Sequence, residues 1–195
     1  MRTALGFDGV SSYTGVASNL IFNLQEIVVS LWFEANDLAK TKALIGKDIT
    51  GSYNWQFYRN DFWTVSQLGW LFYYSKTDST VGCVLPSAYF NVSQWYNTIF
   101  LVKPNGCYEM WVNGTRVAYG TAASFSALRI STTWIRLGGT YGYYAGLIDD
   151  VRIYNRALSP SEVSLLYKGF NPITISPGGL WSGNTYTAIY TVRAN

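Results

Sequence analysis

The chain has 195 residues, enough for one sizeable hydrophobic core but few for two. Apolar residues make up 49%, aromatic residues 17% and charged residues only 13%, a composition typical of an all-β protein with a neutral surface rich in hydroxyl and amide groups. The net charge of +3 is spread without a basic run and histidine is absent, so the sequence predicts no nucleic-acid interface and excludes Ser-His and Cys-His catalysis and most zinc sites.

Runs of β-branched and aromatic residues between Gly, Pro and Asn turns predict a succession of short strands. The run from Glu26 to Phe33 is apolar on both faces and predicts a central strand covered on both sides. The pair Asn113-Gly114 predicts a type I′ hairpin turn. In chain order, strands are predicted at residues 3–7, 13–17, 26–33, 43–46, 53–59, 62–66, 68–74, 81–85, 94–102, 108–112, 115–119, 134–137 and 147–154.

The stretch from Gly146 to Gly169 changes its period once, from strand to helix. Ser159 is a predicted N-cap, Glu162 completes a capping box with it, and Gly169 stops a helix predicted over residues 160–167. In the preceding strand, simple alternation places Leu147, Asp149, Val151 and Ile153 on one face and Ile148, Asp150, Arg152 and Tyr154 on the other.

The motif G-L-I-D-D-V-R-I-Y-N-R-A-L-S-P-S-E-V-S-L-L-Y resembles the closing motif of LamG-like (laminin-G-like, concanavalin A-like lectin-glucanase) jelly-roll domains. Other pieces agree in the expected order: A-L-G-F-D-G-V-S-S-Y at 4–13, I-V-V-S-L-W-F at 27–33, Q-W-Y-N-T-I-F-L-V at 94–102 and Y-E-M-W-V-N-G-T-R-V at 108–117. The resemblance implies an all-β, two-sheet antiparallel jelly-roll sandwich with one short helix over residues 1–170. It also implies a binding or structural role more often than catalysis.

Residues 171–195 lie beyond this resemblance and are predicted to form a C-terminal arm with strand-like pieces. The piece from Thr185 to Arg193 alternates cleanly, yet an isolated strand cannot satisfy its own backbone hydrogen bonds. It is expected to pair with an edge of its own sandwich or with a neighbouring subunit. The predicted assembly residues of the arm are Tyr186, Tyr190 and Val192.

Asp149 and Asp150 lie in mid-strand within an apolar motif, which admits two interpretations. Domains of the family that the chain resembles often carry a structural or ligand-bridging calcium, so the resemblance implies a candidate calcium site of Asp149, Asp150 and Asp8. Alternatively, Asp149 accepts hydrogen bonds from amides near Phe7-Asp8-Gly9 and Asp150 is solvated. No other cofactor is predicted.

Catalysis is not predicted. Some glucanases that share this sandwich place their acidic residues on one strand as E-x-D-x-x-E, because glycoside hydrolysis needs two closely spaced carboxyl groups. Glutamate occurs here only at positions 26, 34, 109 and 162, none of them in such a run, and Glu162 is explained by the helix cap.

The aromatic residues admit a carbohydrate-binding interpretation, because exposed flat rings stack on sugar faces, and a structural one, because most aromatics of a sandwich face its core. A core position is favoured for Trp55, Trp63 and Trp70. Tyr141, Tyr143 and Tyr144 lie among glycines in a predicted loop, and the sequence does not decide whether their rings are exposed or buried. The candidates for glycan contact are Tyr141, Tyr143, Tyr144 and Trp63.

Three further expectations concern the environment of the chain. Cys83 and Cys107 are interpreted as unpaired, buried thiols in preference to a disulfide. No run of about 18 apolar residues occurs, so no transmembrane helix is predicted. No signal peptide precedes the first predicted strand, so either a leader has been removed or the protein is made and assembled inside a cell.

Two functions are compatible with these observations. The first is a non-catalytic surface or assembly module on a virion, such as a phage decoration or attachment protein, which binds other protein subunits in an oligomer or larger assembly and also glycans. The second is a secreted carbohydrate-binding module or adhesin domain at a cell surface or outside the cell. The missing leader, the low charge and the arm favour the first, and the resemblance and the aromatic residues favour the second.

Overall fold

Alternating apolar and polar residues build two six-stranded antiparallel sheets in the computed structural model. The structure describes residues 4–17, 26–38, 43–47, 54–60, 67–73, 80–86, 89–121, 133–139 and 142–169. The two sheets stack over a common apolar core, and one helix in this part of the chain lies outside the sandwich. The predicted all-β sandwich is confirmed.

The first sheet has the strand order β1-β12-β3-β8-β9-β10, and the second has the order β2-β11-β4-β5-β6-β7. The strands of the first sheet are β1 Leu5–Asp8, β3 Ile27–Ala35, β8 Trp95–Val102, β9 Cys107–Val112, β10 Thr115–Thr121 and β12 Ala145–Tyr154. Those of the second are β2 Thr14–Val16, β4 Ala43–Lys47, β5 Trp55–Asn60, β6 Gln67–Tyr73, β7 Thr80–Pro86 and β11 Ile135–Leu137. The strand predicted at 62–66 lies outside the described residues.

Strand β3 is covered on both sides, as its sequence predicts. One face lies in the sandwich core through Ile27, Val29, Leu31 and Phe33. The other face carries Val28, which packs beneath the helix α1, Pro160–Tyr167. Within the first sheet, β3 is hydrogen-bonded to β12 on one side and to β8 on the other.

Strand β12 departs from the alternation expected of it. Ile148, Val151 and Ile153 all lie in the sandwich core, although simple alternation separates Ile148 from the other two. The reason is a bulge between Asp149 and Arg152, where the pairing register with β3 shifts and Asp150 takes a positive φ of 49°. The extra residue changes which residues face inward, because one added position inverts the alternation of a strand.

Helix α1 begins at the predicted capping box. The Ser159 side chain accepts a hydrogen bond from the Glu162 amide, and the Glu162 carboxylate accepts one from the Ser159 amide at 2.8 Å. Val163 and Leu166 bury the apolar side of the helix against the first sheet. The helix ends at the predicted stop, where Gly169 takes a φ of 80°.

The β9–β10 hairpin confirms its predicted turn. Asn113 and Gly114 have φ angles of 49° and 76°, the left-handed pair that a type I′ turn requires. The turn touches the helix, because a Cβ added to Gly114 would lie 2.8 Å from the ring of Tyr167. Tyr167 in turn stacks on Trp32 of β3 at a centroid distance of 5.7 Å. The hairpin, helix and central strand therefore meet at one tyrosine.

In the part of the chain that the structure describes, no helix has both the length and the apolar character needed to cross a membrane.

Candidate functional site

Exposed aromatic residues gather on the outer face of the second sheet, at the edge formed by β2 and β11. In β11, Ile135 and Leu137 are buried in the core, so alternation turns Arg136 and the preceding Trp134 outward. Trp134 is 52% exposed. A large apolar ring in that position contributes nothing to the sandwich core.

Strand β2 brings a tyrosine beside the arginine. Arg136 pairs with Gly15 in the antiparallel ladder, which places Tyr13 diagonally across from it on the same face. The guanidinium carbon of Arg136 lies 5.2 Å from the centroid of the Tyr13 ring, within the range of a cation–π contact. Tyr13 is 53% exposed despite this contact.

A glycine lets a second tyrosine approach the first. Gly139 forms an isolated antiparallel bridge with Tyr143, which is 38% exposed. A Cβ added to Gly139 would lie 3.0 Å from the Cβ of Tyr13 and 3.2 Å from Cδ1 of Tyr143. The two tyrosines therefore flank a bare backbone position. We refer to Tyr13, Trp134, Arg136 and Tyr143 together as the aromatic face.

The aromatic face is elongated along β11. From Trp134 past Arg136 to the position beside Tyr13, the chain advances four residues, or about 13 Å in a strand. Three exposed rings and one cation follow this line. Such a surface offers apolar ring faces for stacking and guanidinium N–H groups for hydrogen bonds, which suits an extended ligand that is both polar and flat-sided.

The loop behind the aromatic face is anchored in the core. The amide of Gly138 donates to the carbonyl of Leu44 and the amide of Tyr144 donates to the carbonyl of Gly138, each at 2.8 Å. Tyr144 itself is fully buried, and its ring centroid lies 6.1 Å from that of Phe7. Burial, together with the charge of Glu34, raises the pKa of Tyr144 well above its usual value.

The prediction of Tyr144 as a sugar-contacting residue is therefore wrong, because a buried ring cannot stack on a ligand. Its neighbour Tyr143 is exposed, and glycan contact by Tyr143 stays a prediction. Tyr141 and Trp63 lie outside the described residues, as do the side chains of Trp70 and Tyr73. Trp55 is buried in the core, as predicted.

Tyr13, Trp134 and Arg136 were not identified from the sequence as site residues. The alternation of the predicted strand 134–137 separates Trp134 and Arg136 from Ile135 and Leu137, and this was the available signal. The position of Tyr13 has no such signal, because it depends on the pairing of β2 with β11, which are more than a hundred residues apart in the chain.

The two aspartates of β12 hold the bulge together. The amide of Asp150 donates to Oδ1 of Asp149 at 2.7 Å. The expected contact of Asp149 with the amides near Phe7-Asp8-Gly9 is not found in the described part of the chain, where the Asp8 amide donates to Ser12 Oγ and the Gly9 amide to the Tyr144 carbonyl. Asp150 forms a two-point ion pair with Arg152, Oδ1 to Nε and Oδ2 to Nη2, each at 2.9 Å. Asp150 is therefore paired, whereas its expected role was a solvated one.

Asp8 is engaged by its own loop. The carboxylate accepts hydrogen bonds from the amides of Val10, Ser11 and Ser12 and from the hydroxyls of both serines. The amide of Ser11, followed by those of Ser12 and Val10, holds the pKa of Asp8 well below its usual range. Asp8 organises the turn between β1 and β2, which leads directly into Tyr13.

These positions do not fit a shared calcium site. Asp8 pairs with Ala145 across the β1–β12 ladder, four residues or about 13 Å of strand before Asp149. Within the described ranges, no three His, Cys, Asp or Glu side chains lie close enough together to hold a metal ion. Calcium binding by Asp149, Asp150 and Asp8 stays a prediction that the geometry of these residues does not support.

Three of the four glutamates have structural contacts. Glu162 caps the helix and binds Arg156 at 2.5 Å, and this partner lowers the pKa of Glu162 to about 2. Glu109 accepts from Trp111 Nε1 at 3.0 Å and lies 3.3 Å from Lys103 Nζ. Glu26 accepts from the amide of Ala157 at 3.2 Å.

Two other predictions concern the thiols and the arm. The thiol of Cys107 is free, as predicted, but it is only half-buried, with Sγ 3.6 Å from Oγ1 of Thr121. The side chain of Cys83 lies outside the described residues. The arm, with Tyr186, Tyr190 and Val192, also lies outside them.

Comparison with protein families and solved structures gives three kinds of finding. The family model described as "Concanavalin A-like lectin/glucanases superfamily" matches residues 8–164. Comparison with curated proteins by sequence gives no match. Many solved structures share the fold.

One similar structure is domain 4 of an extracellular arabinanase from Geobacillus stearothermophilus in complex with arabinotriose, at 23% identity and a TM-score of 0.63 over 84% of this chain and 76% of that one. A second is the receptor binding domain of botulinum neurotoxin D, at 14% identity and a TM-score of 0.66 over 86% of this chain. The chain spans only 44% of that toxin domain. A third is a heptameric SAP-like pentraxin from Limulus polyphemus, at 11% identity and a TM-score of 0.58 over 85% of this chain and 82% of the pentraxin.

Proposed function

Because the chain belongs to the concanavalin A-like lectin/glucanase superfamily, we propose that it is a non-catalytic binding module that holds glycans on its aromatic face. The observation that carries the proposal is the exposure of Tyr13, Trp134 and Tyr143 along one sheet edge. Exposed rings in a row gain nothing from burial on folding, and an apolar surface of this kind is typical of a binding site. Sugars present the flat apolar faces that such rings bind.

The similar structures support a binding role in general terms. One is an arabinanase domain solved with arabinotriose, and another is a toxin domain that binds receptors. Their identities to this chain lie below 25%, so what they share with it is the fold, and the proposed ligand class rests on the aromatic face.

The non-catalytic part of the proposal rests on the carboxylates. Asp150, Glu162 and Glu109 each form an ion pair with a basic side chain, and Asp8 is saturated by its own loop. Hydrolysis of a glycosidic bond needs a free pair of carboxyl groups that can donate and accept a proton beside the ligand. The aromatic face contains three rings and a cation, and no acidic side chain is among its four members.

A glycan array followed by titration calorimetry tests the proposal. Tyr13→Ala and Trp134→Ala are each expected to weaken binding of the selected glycan by about tenfold or more, since each removes a stacking surface worth about 1–3 kcal/mol when covered. Tyr119→Ala is the matched control, because Tyr119 is 75% exposed on β10 in the other sheet and also carries an arginine over its ring, with Arg116 at 4.8 Å. Equal affinity in all four proteins would overturn the proposal.

An assembly module is the second candidate function, and it includes the predicted role as a virion decoration or attachment protein. The observation that favours it is strand β10, the last strand of its sheet, whose outer edge pairs with no other strand of the described residues. An uncovered edge can add a strand from a neighbouring subunit. Light scattering of the wild type and of a Tyr119→Lys variant tests this proposal. An oligomeric wild type and a monomeric variant would support assembly through β10, whereas a monomeric wild type would contradict it.

A further inference from the structure

We propose that the aromatic face selects glycans that carry a carboxylate, and that Arg136 is the residue that recognises it. This inference rests on the proposed glycan binding and names the class of ligand. It is based on the charge of Arg136, on the groups that surround its guanidinium and on the way Tyr13 holds it.

Arg136 differs from the other arginines whose side chains the structure describes. Arg152 binds Asp150 at 2.9 Å, Arg156 binds Glu162 at 2.5 Å, and Arg116 lies 3.6 Å from Glu109. Among the described residues, no carboxylate lies within ion-pair distance of Arg136, and its guanidinium instead lies over the Tyr13 ring. The positive charge on the aromatic face is therefore available to a ligand.

The surroundings leave the guanidinium approachable. Its cross-strand neighbours are glycines, Gly15 on β2 and Gly46 on β4, so neither neighbouring strand places a side chain beside it at that position. Gly15 is exposed, which leaves the β2 side open to a ligand. The acidic residue that is nearest to Tyr13 along the described part of the chain is Asp8. Its carboxylate already accepts hydrogen bonds from the amides and hydroxyls of its own loop.

Tyr13 holds the guanidinium without supplying an acceptor. The guanidinium carbon of Arg136 lies 5.2 Å from the centroid of the Tyr13 ring, and a cation–π contact provides no oxygen to the N–H groups, which can still donate to a ligand. Two parallel N–H groups match the two oxygens of a carboxylate, and this two-point geometry is the strong form of the arginine–carboxylate interaction. A sugar ring on Trp134 or Tyr143 would bring its own carboxylate to this edge.

The single cation favours carboxylated sugars over densely sulfated ones. Binding to a highly charged polymer depends on several basic side chains acting together. The aromatic face has one such side chain between stacking rings, which suits one acid group attached to a flat ring. Retention of a sulfated polymer that salt abolishes, without a preference for the carboxylated sugars, would contradict the inference.

The experiment compares matched pairs of ligands. Oligosaccharides of glucuronic, galacturonic and mannuronic acid and a sialylated oligosaccharide are titrated into the full chain, each alongside its methyl ester. For the wild type we expect the best acid to bind about tenfold more tightly than its ester. In Arg136→Gln the ratio should fall to about one, and Arg136→Lys should recover only part of it, because lysine lacks the planar fork.

Two controls separate this inference from the proposed function. Arg116→Gln removes an exposed arginine that also lies over a tyrosine ring, and it should leave the acid-to-ester ratio at about ten. The carboxylate preference is overturned if the acid and its ester bind the wild type equally, or if only neutral glycans bind. Glycan binding by the aromatic face still stands in either case, provided that Trp134→Ala weakens it. If no glycan binds, or Trp134→Ala and Tyr13→Ala change nothing, both proposals are overturned.

Discussion

The carboxylate of Asp150 accepts two hydrogen bonds from the guanidinium of Arg152, only two residues further along the same strand. In a regular strand these side chains would lie about 7 Å apart on one face. The bulge and the positive φ of Asp150 bring them into two-point contact, and the bulge also restores the inward direction of Val151 and Ile153. The acidic pair of the motif therefore has a structural role.

Asp150→Asn tests the ion pair. Asparagine tolerates the left-handed backbone of this position, so the change removes charge and keeps the conformation. We expect the free energy of unfolding to fall by about 1–2 kcal/mol, the value of a charge-assisted hydrogen-bond pair that is partly buried. Chemical denaturation at neutral pH measures it. Asp149→Asn is the control, since its Oδ1 can still accept from the Asp150 amide, and an equal loss in both variants would contradict the assignment.

Calcium dependence can be measured on the same variants. Because Asp149 and Asp150 already bind an amide and a guanidinium, we expect the melting temperature of the wild type to be the same in excess calcium and in excess chelator. Differential scanning calorimetry measures both. A stabilisation by calcium that disappears in Asp149→Asn and Asp150→Asn would establish the metal site that the family resemblance implies.

The motif from Gly146 to Gly169 shows how far the sequence predicts the fold. The helix, its Ser159–Glu162 capping box and the stop at Gly169 were predictable, because each depends on residues within one or two helical turns. The bulge at Asp150 was not. Its cause is the match between β12 and β3, which lie about 120 residues apart in the chain, and local alternation carries no information on such a register shift.

Glu162 should make the stability of the protein depend on acid pH. Arg156 lowers the pKa of Glu162 in the folded state from 4.5 to about 2. A carboxyl group whose pKa is lower in the folded state stabilises the folded protein, and this contribution is complete at pH values above the pKa of the unfolded chain. For Glu162 the contribution therefore disappears as the pH falls from about 4.5 to about 2. In Glu162→Gln we therefore expect a smaller loss of stability across this window, and about 1 kcal/mol less stability at neutral pH from the weakened cap.

Urea denaturation at a series of pH values measures the Glu162 effect. Some acid sensitivity should persist in Glu162→Gln, because loop amides also hold the pKa of Asp8 below its usual range. Arg156→Gln is the partner variant and should flatten the same window. If the wild type and Glu162→Gln lose stability in parallel between pH 5 and pH 2, Glu162 does not carry the predicted linkage.

Gly114 and Tyr167 should be energetically coupled. Gly114→Ala places a Cβ 2.8 Å from the Tyr167 ring and also forces alanine into a left-handed backbone, at a cost of about 1–2 kcal/mol for the backbone and about 1–3 kcal/mol for the overlap. In a Tyr167→Ala background only the backbone cost should remain. A double-mutant cycle measures the coupling, which we expect to be about 1 kcal/mol or more. Additive effects would show that the ring moves aside freely.

The aromatic face was less predictable than the fold. Trp134 and Arg136 share a strand face that alternation alone defines, whereas Tyr13 and Tyr143 reach them only through the β2–β11 pairing and the Gly139 bridge. The burial of Tyr144 beside an exposed Tyr143 follows from the same loop, which turns one tyrosine toward Phe7 and the other toward solvent. Residue type could not distinguish these neighbours, because each is a tyrosine with the other tyrosine on one side and a small residue on the other.

Gly139→Ala should weaken glycan binding without unfolding the protein. Its Cβ would lie 3.0 Å from Cβ of Tyr13 and 3.2 Å from Cδ1 of Tyr143, closer than an ordinary contact, so the two tyrosines must move apart by a few tenths of an ångström. We expect the affinity for the selected glycan to fall about three- to tenfold, or roughly 1 kcal/mol, with a comparably small loss of stability. Gly6→Ala is the control, because its Cβ would lie 3.7 Å from Leu147 Cδ2 on the other sheet. Calorimetry that gives the wild-type affinity for Gly139→Ala would show that the spacing of Tyr13 and Tyr143 does not matter to the ligand.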